Sequence, residues 1–210
     1  MFCVLNADYC KMSSAVLNLH YLPNIEWFKN YVRYDNLIVE KHENFVKSTG
    51  RNRCYIVAAN GRQILTIPLT GGRDHHRKYT DTKIAYTTRW QDSHWHSIKS
   101  AYGSAPYFEF YAHIFQKFYE KEYEFLFDFN AELLQAVLSA LKLKKSFEFT
   151  IDYQKEVDGA IDLRSEKNAS VNMLRYLQVF EERHGFIPNM SIIDLIFNLG
   201  PQAALYLHQR

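Results

Sequence analysis

The order of strand and helix signals predicts an α/β fold bordering on α+β: a small mixed sheet, begun by a βαβ unit and a hairpin and covered by a helical C-terminal half. Three observations carry this. Apolar runs at Ala15 to His20 and Asn36 to Glu40 flank a helical period through Ile25, Phe28 and Val32, giving strand, helix and strand in succession. The pair Asn60-Gly61 separates two further strand-like runs, Cys54 to Ala59 and Arg62 to Pro68, as a tight hairpin requires. From Trp90 onward the apolar spacing becomes three and four, the helical period.

Each element has its own signal. Pro23 with Asn24 opens the first helical pattern, since proline suits a first helical turn. Thr82 to Thr87 has strand composition, and Thr70 to Lys78 is a polar loop containing the basic run Arg73 to Lys78. Trp95, Ile98 and Tyr102 mark a helix that stops near Gly103. Pro106 starts another, carrying Phe108, Tyr111, Phe115 and Phe118. Leu133, Leu134, Val137, Leu138 and Leu141 mark a third from about Phe129 to Leu143. Phe147 to Tyr153 reads as a late strand, and residues 154 to 170 as polar loop. Helices then follow at Val171 to Glu182, Ser191 to Asn198 and Pro201 to His208. Ser191 and Asp194 have the spacing of a capping box.

Composition bounds the function. The 210 residues carry 47% hydrophobic and 23% charged side chains, close to globular averages, so one packed domain is expected. A net charge of +2 gives no global attraction to nucleic acid or anionic membrane, so no nucleic-acid partner is expected. No stretch approaches the roughly 20 apolar residues of a membrane helix, and no secretory signal opens the chain, so a cytoplasmic protein is expected. Cys3, Cys10 and Cys54 are too irregular for a disulfide framework or zinc site, and neither metal nor cofactor is expected. Residues 1 to 12 fit poorly with the strand-like run after Met12 and read as a non-native or disordered extension, leaving 13 to 210 as the domain.

The candidate site is the tract His42 to Cys54, which packs acids, amides, bases and a thiol between two strands. Lys47, Arg51 and Arg53 lie near Glu40 and Glu43. Arginine forks suit carboxylate or phosphate, and the ordinary alternative is an ion-pair network that orients a turn. Cys54 follows a cation that could activate a thiol, although a cysteine opening a strand is usually a small buried hydrophobe. His94 and His96 are two apart on a helix and face differently, which excludes joint chelation. His94 shares a face with Trp90, four residues earlier, and is either a general base or a packed ring with one satisfied nitrogen.

Several segments together resemble the WbqC-like protein family. Asn18-Leu19-His20-Tyr21-Leu22-Pro23-Asn24-Ile25-Glu26-Trp27-Phe28 is similar to its opening Gln-Pro-x-Tyr-aromatic-Pro-x-Ile-Gly-Tyr-Phe pattern. Lys47, Asn52 and Arg53, then Trp90, His94 and Tyr102 with Ala105-Pro106-Tyr107-Phe108, follow in the family's order. Gln178-Val179-Phe180, Phe186-Ile187-Pro188-Asn189 and Ser191 to Leu195 complete the resemblance. Asn18 stands in place of the opening glutamine and Leu19 in place of the first proline. His42 to Phe45 stands where many members have Asp-Asp-Val-Gln-Tyr, so Glu40, Glu43 and His42 would have to substitute for the acidic pair.

The resemblance implies a role in surface-polysaccharide precursor synthesis, with acyl or aminoacyl transfer to a nucleotide-linked amino sugar. On that reading His94 or His42 moves a proton, while Arg51 and Arg53 hold an anionic donor or nucleotide-sugar. Asn18, Tyr21, Glu43, Asn44, Lys47, Asn52, Trp90 and Tyr102 contact substrate. A non-catalytic accessory that binds a sugar nucleotide or a synthase is the alternative.

Overall fold

Ala15, Val16 and Leu17 are buried in succession, the mark of a strand covered on both faces. In the computed structural model, which describes residues 14–71, 77–165 and 173–209, they belong to β1 (Ser14–Asn18). Helix α1 (Ile25–Arg33) and β2 (Asn36–Glu40) follow, with β2 parallel to β1 from Ser14↔Asn36 through Asn18↔Glu40. The strand, helix and strand expected from the sequence are therefore present. Two short strands extend the sheet, β5 (Glu148–Phe149) beside β2 and β6 (Ala160–Asp162) beside β1, in the order β5-β2-β1-β6, all parallel.

The antiparallel hairpin, β3 (Arg53–Ala58) and β4 (Gly61–Thr66), forms a sheet of its own. Both strand orientations expected of the α/β fold occur, divided between two sheets. The hairpin turn differs from the sequence reading by one residue. Ala58 pairs with Gly61, the loop residues Ala59 and Asn60 keep negative φ, and only Gly61 is left-handed at φ 93. Glycine thus serves as a bulge after the turn and not as its second central residue.

Helices α2 (Trp90–Tyr102), α3 (Phe108–Gln116) and α4 (Leu126–Ala140) fall where the helical period placed them, and α6 (Ile192–Leu199) and α7 (Ala203–His208) close the described chain. Helix α6 is buried almost all round, and its Phe197 ring packs on Tyr102, Phe108 and Phe115. A helix apolar on every side belongs inside a core.

Four expectations are corrected. Thr82 to Thr87 forms only isolated bridges, Ile84 with Leu69 and Lys83 with Phe125. The helix expected at 171 to 182 shrinks to α5 (Glu181–His184). Gln178 instead bonds both ways with Ile187, and Gly185 at φ 69 ends the turn. The capping box does not form: the Ser191 hydroxyl donates to Leu22 O, and Asp194 turns inward to accept from Tyr176 and from Gln178 at 2.9 Å. Tertiary partners displace the local cap, and burial pushes the Asp194 carboxyl above its usual range against those hydrogen bonds. The polar stretch read as loop contains β6. The expected N-terminal extension and residues 73 to 76 of the basic loop lie outside the described residues.

The start of α1 joins the two ends of the chain. Its first three amides are all satisfied: Ile25 by Met190 O (3.0 Å), Glu26 by Asn189 Oδ1 (3.1 Å) and Trp27 by the Asn24 side chain (3.0 Å). Ile192 N returns a bond to Pro23 O. Removing the cap alone, in Asn24→Ala, is expected to lower stability by about 1 kcal/mol in urea denaturation; an unchanged midpoint would show that the cap is idle.

Candidate functional site

The polar tract after β2 is held from several sides. Phe45 N bonds Arg77 O and Tyr79 N bonds Glu43 O, so the tract lies along the segment 77 to 79. Thr49 Oγ1 donates to Val46 O across a turn in which Ser48 is left-handed at φ 63. Gly50 has no room for a side chain, since a Cβ there would lie 2.6 Å from the His20 ring. Its carbonyl accepts from Tyr21 N at 2.8 Å.

The buried charges pair. Arg51 grips Glu43 with Nε on Oε1 at 2.7 Å and Nη2 on Oε2, and gives Nη1 to Thr49 at 3.0 Å. Burial pushes the Glu43 carboxyl up, and Arg51 opposes it. Glu40, 1% exposed at the end of β2, accepts from His42 N at 2.7 Å and Thr150 Oγ1 at 2.8 Å on one oxygen, and from Arg164 Nη1 at 3.1 Å on the other. Arg164 also holds Asp162, which ends β6, and Asn18 Nδ2, ending β1, donates to Arg164 O at 2.6 Å. Glu40 and Glu43 stand three residues apart on either side of His42, and the charges of Glu40 and Arg164 bear on the Glu43 carboxyl after burial and Arg51. The group of side chains around Glu40 sits at the carboxyl ends of the parallel strands, the edge where open α/β sheets take ligands.

The structure therefore brings Asn18 and His42 to one edge, with Glu43 and its partner Arg51 on the tract that follows, whereas Asn52 pairs with Ile67 beside the hairpin. Asn52 Nδ2 bonds Ile67 O, and the His42 ring faces Thr150 O at 3.0 Å. Asn44 and Lys47 are exposed on the same tract, and Arg53 is half-buried at the start of β3. The Arg53 Nε atom is buried without a hydrogen-bond partner among the described residues. Cys54 is buried, and burial pushes its thiol well up, which leaves it a packing residue.

Tyr21, Trp90, His94 and Tyr102 lie instead in the core. The Tyr21 hydroxyl bonds His94 Nδ1 at 3.0 Å and the Tyr119 hydroxyl at 2.7 Å, and the Trp90 ring meets His94 edge-on at 5.1 Å. Burial lowers the His94 ring to about pKa 4, against an opposing influence of the Thr66 backbone. Tyr102 accepts from Val57 N at 3.2 Å. A shallow groove between the hairpin turn and α2 contains none of the edge residues.

Sequence reasoning missed Thr150, Asp162 and Arg164. Thr150 lay within an expected strand, but residues 154 to 170 carry no apolar period that would reveal β6 or the arginine after it. Nor did it find Asn130, whose Nδ2 holds Arg51 O and Tyr79 Oη, both at 2.7 Å. No helix among the described residues is long and apolar enough to cross a membrane, and no group of three or more His, Cys, Asp or Glu among them could hold a metal ion.

The buried rings make stability depend on pH. His20, lowered to about 3 by burial and secondarily by Arg51, and His94 are neutral when folded but titrate near 6.5 when unfolded. Their contribution is complete above that value and is lost as pH falls toward 3 to 4. One such ring costs about 2 kcal/mol between pH 7 and pH 5. Urea denaturation of His94→Gln should show a loss over that interval smaller than the parent's by this amount, and equal losses would show that His94 titrates normally. Glu43→Ala leaves Arg51 buried without its carboxylate and should cost about 3–5 kcal/mol by the same measurement.

Comparison with known proteins agrees with the motifs. A curated relative, the uncharacterized protein Rv1507c of Mycobacterium tuberculosis strain H37Rv, is 25% identical over 224 residues, covering 92% of this chain and 96% of that protein. No solved structure matches the chain. The model of the WbqC-like protein family matches residues 19–171, which include Glu40, the tract from His42 to Arg53, His94 and Arg164, and the chain belongs to that family.

Proposed function

We propose that the carboxyl edge of the parallel sheet binds a nucleotide-linked sugar or a similar anionic donor in surface-polysaccharide precursor synthesis. The reaction we assign is acyl or aminoacyl transfer to an amino sugar. The observation that carries the reading is the gathering of Asn18, Glu40, His42 and Arg164 at the strand ends, a polar cluster where the fold class takes its ligands. Family membership supports the polysaccharide role.

The roles follow from what each side chain has left to give. The Arg51 fork is committed to Glu43, so it holds the tract in shape. Arg53, whose Nε has no hydrogen-bond partner among the described residues, is the cation assigned to meet an anionic group. Amide formation needs a base to take a proton from the attacking amine and donors to steady the oxyanion. We assign the base to His42, at the edge, because His94 is enclosed in the core with its Nδ1 bonded to the Tyr21 hydroxyl. Asn44 and Asn52 are the amides of the same tract. The enclosure of His94 favours one further reading, a non-catalytic accessory that binds the same ligand.

UDP-N-acetylglucosamine should raise the melting temperature of the protein, since a ligand bound only by the folded state must stabilise it. Arg53→Glu should weaken its binding at least tenfold in isothermal titration. Unchanged binding by a variant that circular dichroism shows to be folded would defeat the assignment. His42→Ala should retain affinity and lose turnover; retained turnover removes His42 as base, and no turnover by the parent with any acyl or aminoacyl donor favours the accessory reading.

A further inference from the structure

Asn18 and Glu40 end adjacent parallel strands and are register partners, so their side chains stand next to each other on one face. They are 2% and 1% exposed. The Asn18 Nδ2 group is committed to Arg164 O, which fixes the orientation of the amide. Its Oδ1 is buried and has no hydrogen-bond partner among the described residues. Buried acceptors are ordinarily satisfied.

Glu40 has a matching asymmetry. Its Oε1 takes two donors, from His42 N and Thr150, while Oε2 has one, Arg164 Nη1 at 3.1 Å. That is the longest of the contacts Arg164 makes to carboxylates: it holds Asp162 at 2.9 and 2.7 Å, and it also donates to the Gln154 and Lys155 carbonyls. The guanidinium is thus anchored by its own neighbourhood and reaches Glu40 with one nitrogen. Its hold on Glu40 can be given up without leaving the arginine unpaired.

Asn18 Oδ1 and Glu40 Oε2 are two acceptors carrying one negative charge, at the ligand edge of the sheet. A phosphate or carboxylate is repelled there. A compact cation with several N–H donors fits, because an ammonium can serve two acceptors at once. We propose that the Asn18–Glu40 pair is the subsite for a protonated primary amine of the ligand, and that Arg164 holds Glu40 in its place and withdraws onto Asp162 when the amine binds. This deepens the preceding proposal and rests on its reading of the carboxyl edge as a ligand site.

Three probes differ only at the amine: UDP-glucosamine, UDP-N-acetylglucosamine and UDP-glucose. Isothermal titration should find the first bound at least tenfold more tightly than the others. Glu40→Gln, which keeps the shape and removes the charge, should abolish the preference, and Asn18→Ala, which removes the second acceptor, should reduce it. Equal affinity for all three, or a preference that neither variant changes, overturns the amine subsite and leaves the nucleotide-sugar reading standing. Arg164→Ala supplies a second arm that needs no nucleotide: ethylammonium chloride should raise its melting temperature saturably, beyond sodium chloride at equal ionic strength. The gain should vanish when Glu40→Gln is added. If no UDP-sugar binds but ethylammonium stabilises Arg164→Ala in this way, the nucleotide reading fails and the amine subsite holds. Absence of that stabilisation overturns the subsite.

Discussion

The parallel sheet depends on the Glu40 carboxylate. A charge buried at the end of a strand persists only when ionic and hydrogen-bonding partners compensate its lost hydration. Here the partners are Thr150 and Arg164, 110 and 124 residues further along the chain. Thr150 follows β5 and Arg164 follows β6, while Asn18 ties β1 to the Arg164 carbonyl. One carboxylate thereby joins the ends of all four strands. Strands of two and three residues have little ladder of their own, and this polar knot adds side-chain bonds at their ends.

The knot is coupled to the core through two consecutive residues. His20 packs on Gly50 and senses Arg51, whereas the Tyr21 hydroxyl points into the aromatic cluster with His94 and Tyr119. The edge is charged and paired; the interior a residue away is neutral, with burial holding the histidine ring uncharged and the tyrosine hydroxyls protonated. Motif positions of the WbqC-like family thus divide by chemistry. Asn52 and Arg53 stand on the polar tract, while Tyr21, Trp90, His94 and Tyr102 form the packing that places it.

Much of the fold was legible because its signals are local. The β1, α1 and β2 segments, the hairpin and helices α2 to α4 each declare themselves through apolar period, a cap or a turn pair. What failed was local signal with a stronger distant competitor. Ser191 and Asp194 have the spacing of a cap, yet Leu22, Tyr176 and Gln178 take their side chains. Strand β6 is held by backbone pairing with β1, and two of its three residues are exposed, so no burial pattern marks it.

The amino-acid sequence by itself determined the fold class, the family and the tract in which polar groups need partners, because periodicity, turn chemistry and charge content act over a few residues. It named Asn18, Glu40, Glu43 and Arg51 without saying which would meet. Only the tertiary structure decided that Arg51 is committed to Glu43, that His94 is a core residue, and that Arg164 closes on Glu40. Those outcomes depend on which distant segments supply the partner of each buried charge, and pairing across more than a hundred residues leaves no period in the chain to read.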